Sequence, residues 1–316
     1  MNVDDGSLFG YATVGIPLEP RDMGISHAAQ RETNLLRERA VPEEWLPYCW
    51  ALDWELPGVR GPNVDSRIAL RVGGNAPPRT MSELRLAADL GLGFNLVVPD
   101  GFDLRTLAPV LPQVELLTLD SVGRVHGADV IASAVSLRLL AVSCMLGAGV
   151  PRTGLPLLES YSGSGELLLL ACSSPSLQKL DVDLEGQPWP TGVPIAGAVE
   201  HLNLEGAGAL GDLPALARPA SLRRLRLSGA PRVDLMTLPN TVDLEWFEIR
   251  QTAELVGTSA LTRMSRLRYV LLERVKRVES PESLTGLGAR ELYVSRSDPR
   301  AVGAAKARRH RNRGML

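Results

Sequence analysis

The sequence predicts an α/β fold made by stacking one short strand-and-return unit many times, a solenoid. Three observations carry that expectation. A six-residue phrase with aliphatic residues at its first, fourth and sixth positions recurs along the chain at near-constant spacing. Leucine fills 53 of the 316 positions, whereas Phe, Trp and Tyr together fill 14, so the core is built from one aliphatic shape used repeatedly. Prolines at 188, 190, 214, 219 and 239 interrupt the stretches between phrases and exclude long helices there.

The phrases read, in order, Val114-Leu117-Leu119, Leu137-Leu140-Val142, Leu155-Leu158-Ser160, Leu177-Leu180-Val182, Val199-Leu202-Leu204, Leu222-Leu225-Leu227, Leu244-Phe247-Ile249, Leu267-Val270-Leu272 and Ala289-Leu292-Val294. Their last positions are 22 or 23 residues apart, except for a step of 18 between 142 and 160 that predicts one trimmed repeat. The last two aliphatic positions alternate, so both point to one face of a short strand. A further apolar residue follows six positions on, at Leu210, Val233, Leu255 and Val278, and another near the twelfth, at Leu216, Leu261 and Leu284. One unit cannot bury that many apolar groups alone. Stacked neighbours share a continuous core.

Val199-Glu-His-Leu-Asn-Leu204 and Leu222-Arg-Arg-Leu-Arg-Leu227 carry the pattern most completely. On these phrases the chain resembles the leucine-rich repeat family over roughly residues 111 to 297. The resemblance implies a curved, right-handed solenoid with parallel strands on a concave face and short helices, 3₁₀ turns or loops on the convex side. It also implies a non-enzymatic role, holding a protein or peptide on the concave face. One departure from the family is plain. The family usually places Asn or Cys three residues after the last strand leucine. Here those positions hold Val122, Met145, Glu185, Ala207, Thr252, Val275 and Ser297, so the backbone there must be satisfied differently.

The flanks are less regular. Residues 1–44 form an N-terminal flank with one helix expected over 26–40. Residues 45–110 read as degenerate repeats acting as an N-terminal cap. Within them Trp50 to Trp54 and Ile68 to Val72 alternate as strands do. Thr80-Met-Ser-Glu83 is a capping box that opens a helix through about Leu90, and Phe94 to Val98 is a strand 23 residues before Leu119. Residues 298–316, with Arg300, Lys306, Arg308, Arg309, Arg311 and Arg313, predict a mobile basic tail.

Composition narrows the function classes. With 34 basic and 36 acidic residues the net charge is −2, which argues against bulk adhesion to nucleic acid or anionic membrane. Only three of the basic residues are lysine, a bias of the kind GC-rich bacterial coding produces. The longest apolar run, Leu167 to Cys172, is far short of the roughly 20 residues a membrane span needs. Acids rather than basic residues open the chain, so no signal peptide is expected, and three scattered cysteines build no disulfide framework. A reduced, cytoplasmic setting follows. No metal or cofactor is expected.

Several local patterns resemble catalytic motifs. Gly206-Ala-Gly-Ala-Leu-Gly211 is a formal GxGxxG, but it lies in repeat register, Pro214 and Pro219 forbid the helix it needs, and no acid stands about 20 residues on. Tyr161-Ser-Gly-Ser-Gly165 lacks both the nucleophile-elbow frame and a Walker lysine, and reads as a flexible turn. Cys144 and Cys172 sit among apolar residues and read as core or wall positions. His201 lies on the outward side of a strand, where a contact residue is commoner than a catalytic one.

The outward strand positions carry more information. Glu159 and Tyr161 are expected there in the trimmed repeat. An acidic stretch with Asp181, Asp183 and Glu205 precedes a rung of three arginines, Arg223, Arg224 and Arg226. Trp246, Glu248, Arg250, Tyr269 and Tyr293 follow. Trp, Tyr and Arg are the residues most enriched in binding hot spots. The expected partner-binding set is therefore Asp181, Asp183, His201, Glu205, Arg224, Arg226, Trp246, Glu248, Arg250, Tyr269 and Tyr293, with a protein or peptide as partner. Two alternatives stand beside it: an enzyme with a site in the N-terminal region, and a nucleic-acid binder using the basic tail and the Arg223/Arg224/Arg226 rung.

Overall fold

Each aliphatic phrase folds as a short strand, because alternate residues of the pleat must face opposite ways and only one way is apolar. The computed structural model describes residues 38–51, 68–73, 79–190, 193, 195, 198–206, 221–238 and 242–313. The fold is α/β, and the chain divides into two compact units, Met1–Pro151 and Arg152–Leu316. The helix expected over residues 26–40 lies almost wholly outside the described residues, as do Trp54, Leu216 and most of the GxGxxG stretch.

In the first unit a 3₁₀ turn, Glu43–Tyr48, leads into β1 (Cys49–Ala51). Four further strands follow, β2 (Ile68–Val72), β3 (Gly93–Val97), β4 (Leu116–Val125) and β5 (Leu139–Leu146). Strands β2 to β5 are parallel neighbours in chain order, whereas β1 runs antiparallel to β2. The reading of Trp50 as part of a first repeat strand is thus corrected in direction. Leu70, Phe94, Leu117 and Leu140 form one buried row, and Val72, Leu96, Leu119 and Val142 a second. The capping box forms as the sequence requires. Glu83 N donates to Thr80 Oγ1 (3.3 Å) and Thr80 N to the Glu83 carboxylate (2.9 Å), opening the helix Met81–Asp89, which buries Leu84, Ala87 and Ala88.

In the second unit seven strands carry the main sheet. They are β6 (Ser160–Ser164), β7 (Lys179–Asp183), β8 (His201–Glu205), β9 (Arg224–Ser228), β11 (Trp246–Arg250), β13 (Tyr269–Glu273) and β15 (Glu291–Ser295). All are parallel and in register, one per phrase. Tyr161, Leu180, Leu202, Leu225, Phe247, Val270 and Leu292 form the inner row, each buried. The register corrects the frame of the trimmed repeat. Tyr161 pairs with Leu180 and Gly163 with Val182, so the strand phrase is Leu158-Tyr161-Gly163. The shortened step therefore lies between 163 and 182. Tyr161 is a core residue whose hydroxyl donates to Ser164 O (2.6 Å), not an outward one, and the Ser-Gly-Ser stretch is strand rather than turn.

The returns replace the missing Asn with backbone. A residue in the left-handed region follows strands β7 to β15 of the main sheet: Glu185, Gly206, Gly229, Gln251, Arg274 and Arg296, with φ from 50° to 76°. At three of these turns the N–H reaches the neighbouring rung. Gly229 N donates to Arg250 O, Gln251 N to Glu273 O and Arg274 N to Ser295 O, at 2.9–3.1 Å. A second, three-stranded parallel sheet follows, β10 (Arg232–Asp234), β12 (Glu254–Val256) and β14 (Arg277–Val278), which buries Val233, Leu255 and Val278. Short 3₁₀ turns then return the chain, among them Leu235–Thr237, Thr258–Arg263 and Pro281–Gly286. They bury Leu235, Leu261 and Leu284. Asp234 caps the first of these by accepting from Met236 N (2.9 Å).

The described part of residues 298–316 differs from the expected mobile tail. Over Pro299–Arg313 it forms a helix that packs on the Pro281–Gly286 turn and on β15. Asp298 is its N-cap, because its backbone oxygen accepts from Val302 N and its carboxylate from Arg300 N (2.9 Å) and Val278 N (3.1 Å). Pro299 at the first helical position costs no hydrogen bond. Ala301, Ala305 and Arg308 form the buried stripe, and the Arg308 guanidinium donates to Ala289 O. The basic residues hid this stripe in the sequence, since two alanines and an arginine make a weak apolar pattern.

Two outcomes test these contacts. The hydrogen bond from the Arg300 side chain, with those from the Val278 and Arg300 N–H groups, holds the Asp298 carboxyl down to about 2. That lies below its unfolded value of about 4, so the stabilisation is present above pH ~4 and is lost as pH falls towards 2. Asp298→Asn should cost about 1–2 kcal/mol at neutral pH in urea unfolding, and the difference from the parent should shrink below pH ~4 and be largely gone only below pH 2. Gly229 adopts φ 76°, where an added Cβ would approach Gly206 N at 3.3 Å. Gly229→Ala should therefore cost about 1 kcal/mol in the same measurement, whereas Arg274→Gly should cost nothing.

Candidate binding face

The parity that buries the aliphatic rows puts the intervening residues of each strand on the opposite face of the second unit. Register lines them up across the rungs. The first row runs Ser160, Lys179, His201, Arg224, Trp246, Tyr269, Glu291. The middle row runs Ser162, Asp181, Asn203, Arg226, Glu248, Leu271, Tyr293. In the last, Asp183 lies beside Glu205, and Ser228, Arg250, Glu273 and Ser295 continue together. All eleven residues expected to contact a partner fall in these rows, on one face.

The aromatic residues are organised rather than scattered. Trp246 and Tyr269 stack with ring centroids 3.6 Å apart at 18°, and Tyr293 leans on Tyr269 at 5.5 Å. The Arg224 guanidinium lies 5.5 Å from the Trp246 ring, within cation–π range. Tyr293 remains exposed, and its hydroxyl donates to the Glu291 carboxylate (3.0 Å).

Glu248 plays a different part from the contact role expected of it. It is 6 % exposed and sits between Arg226 (3.2 Å) and Arg250, while Arg250 reaches on to Glu273 (3.5 Å). Trp246 Nε1 also donates to it (3.4 Å). A buried carboxylate between two arginines is a strut that fixes their direction and anchors the indole, at a desolvation cost the pairing must offset. The network spans three rungs, Arg226 on β9, Glu248 and Arg250 on β11 and Glu273 on β13, which the sequence of one rung does not show.

The same pairing bears on nucleic-acid binding through the three-arginine rung. Arg223 bonds to Glu245 (2.7 Å) and approaches Glu200 (3.8 Å), Arg226 meets Glu248, and Arg224 covers Trp246. Two of the three positive charges are thus compensated within the protein. His201, flanked by Lys179 and Arg224, is pushed down to about 3 by burial, then by Arg224, Lys179 and Arg223. A base that weak takes no proton at neutral pH. Burial pushes the Cys49 thiol up to about 11 and the Cys172 thiol up to about 12, which leaves both protonated and unreactive. Among the described residues no group of three or more His, Cys, Asp or Glu side chains converges as metal ligands would.

Two features escaped the sequence reading. Leu271 occupies an outward slot between Val270 and Leu272 and is only half-buried, an apolar residue on the face beside the tyrosines. Arg266 lies in a return segment, yet it joins Arg223, Arg268 and Arg290 at the edge where the strands begin. Strict alternation across Val270 to Leu272 would have pointed to the first; no signal in the sequence marked the second. Neither the models of known protein families nor the characterised proteins compared with this chain match it. No helix among the described residues is long and apolar enough to cross a membrane.

The depressed value of His201 has a direct consequence. The unfolded chain takes up a proton near pH 6.5 and the folded chain does so only near 3, so this residue lowers stability progressively as pH falls through that window. His201→Gln should therefore gain stability relative to the parent at pH 4.5 and not at pH 8. The parent's His201 ring resonances should stay fixed between pH 5 and 8 in an NMR titration.

Proposed function

We propose that Arg152–Leu316 is a leucine-rich-repeat-type solenoid unit that holds a protein or peptide segment on its outward strand face and performs no chemistry of its own. One parallel strand per 22- or 23-residue phrase, returned by left-handed turns and 3₁₀ segments, supports the architecture. In leucine-rich repeat proteins the face formed by such strands is the concave, ligand-holding one. The observation that carries the reading is the continuous stack Arg224–Trp246–Tyr269–Tyr293 along that face.

The physics of binding favours this arrangement. Large side chains already held by stacking lose little rotamer freedom when a partner arrives, so more of the contact energy appears as affinity. Their rings and stems offer apolar area, and the flanking Arg and Glu groups offer polar contacts at the rim. The weak His201 base gives no competing catalytic reading of the same surface.

Capture from the native cell tests the proposal. Parent protein and a Trp246→Ala/Arg224→Glu variant should differ in what co-purifies, with at least one abundant partner of the parent lost from the variant. Loss of a central stacked Trp should weaken such a complex by about 2 kcal/mol or more, roughly thirtyfold. If every partner survives the double substitution, the face is not the binding surface.

A further inference from the structure

The edge of the second unit at which β9, β11, β13 and β15 begin holds a cleft of about 570 Å³. Arg223, Glu245, Arg266, Arg268, Gly288 and Arg290 line it, four guanidinium groups against one carboxylate. Glu245 engages Arg223 (2.7 Å), and Asp243, outside the lining, engages Arg266 (3.6 Å). Among the described residues no carboxylate lies within ion-pair distance of Arg268 or Arg290. Both are exposed. Their rungs are tied directly, since Glu291 N donates to Arg268 O (2.9 Å). Neighbouring strands lie about 4.8 Å apart, so two arginines without an ion-pair partner leave the backbone side by side. That arrangement is unfavourable until an anion enters, and two planar forks can grip a carboxylate through several charge-assisted hydrogen bonds.

The surroundings decide what kind of anion fits. Arg268 directly precedes Tyr269, and Glu245 directly precedes Trp246, so the cleft adjoins the aromatic stack. Glu245, Glu248, Glu273 and Glu291 all lie at this edge or on the face beside it. A continuous polyanion such as a nucleic acid would meet those acids along its length. A peptide with one or two carboxylates among apolar residues can set its acid on Arg268 and Arg290 and its apolar side chains on the rings.

We propose that this cleft is an anchor for an acidic residue of an otherwise mostly apolar peptide, whose neighbouring side chains lie on Trp246, Tyr269 and Leu271. The proposal rests on the peptide-binding reading above and adds to it the chemistry of the partner. Recognition is thus two-part: a charged anchor at the strand-start edge fixes register, and the aromatic row supplies contact area.

A displayed library of random short peptides, selected on the full chain, tests it. Peptides recovered on the parent should carry Asp or Glu beside Leu or aromatic residues. A resynthesised acidic peptide, followed by fluorescence anisotropy, should bind about tenfold more weakly to Arg268→Ala/Arg290→Ala and to its own Asn/Gln-substituted form. An unchanged urea midpoint for the double variant shows that its fold is kept. Trp246→Ala should weaken acidic and amide-substituted peptides alike. Recovery of peptides without acid enrichment, or the same peptides on parent and double variant, overturns the anchor. If those peptides still lose affinity on Trp246→Ala, the peptide-binding face stands without it; if the parent enriches no peptide, both fail. Tighter binding of a short single-stranded DNA than of any selected peptide at physiological salt also overturns the anchor.

Discussion

No rung of this protein can bury its own aliphatic residues. Leu225 and Leu227 on β9 are covered only because Leu202 and Leu204 lie on one side and Phe247 and Ile249 on the other. Each such side chain contributes about 1.5–3 kcal/mol when taken fully out of water, and that contribution exists only while the neighbours are in register. A slip of one residue would turn every aliphatic row outward and every charged row inward. Register is therefore the constraint on which the rest depends, and the outward face inherits its order from the core behind it.

The order of the outward face follows from that inheritance. Trp246, Tyr269 and Arg224 stack because residues two positions apart along a strand share a face and residues paired across strands lie within ring-contact distance. The Glu248 strut and the Arg226 and Arg250 guanidinium groups work through the same spacing. The strand-start cleft is its edge counterpart, where Arg268 and Arg290 stand on successive rungs and, among the described residues, no carboxylate forms an ion pair with either. The face is thus neither uniformly charged nor uniformly apolar. A compensated ionic centre is bordered by an aromatic row, and beyond that row lies an uncompensated basic edge.

Much of this was legible in the sequence because its logic is periodic. Parity alone put all eleven expected contact residues on one face, and the Thr80/Glu83 capping box located a helix start to the residue. The failures have physical causes. The strand Ser160–Ser164 was misframed because Tyr161 and Gly163 occupy slots that an aliphatic search does not recognise. Nothing in the residue types marks the left-handed turns, since Gln251, Arg274 and Arg296 give no conformational hint; backbone bonds to the next rung hold Gln251 and Arg274 there. The helix Pro299–Arg313 is hidden in the sequence because Arg308, buried against Ala289 O, resembles one more solvated cation. The burial of Glu248 does not show in its own rung because it depends on Arg226 from the neighbouring one, a tertiary fact.

Photo-crosslinking in the native cell tests the central claim, that the face carrying Trp246, Tyr269 and Tyr293 is where a polypeptide partner lies. A benzophenone amino acid would replace Tyr269 or Tyr293 in turn, with Leu157 and Met236, exposed apolar residues outside the face rows, as control positions. The account predicts that positions 269 and 293 both form adducts with the same polypeptide, and that the controls do not. Adducts to that polypeptide from the controls but not from 269 or 293, or no polypeptide adduct at either face position, would contradict it.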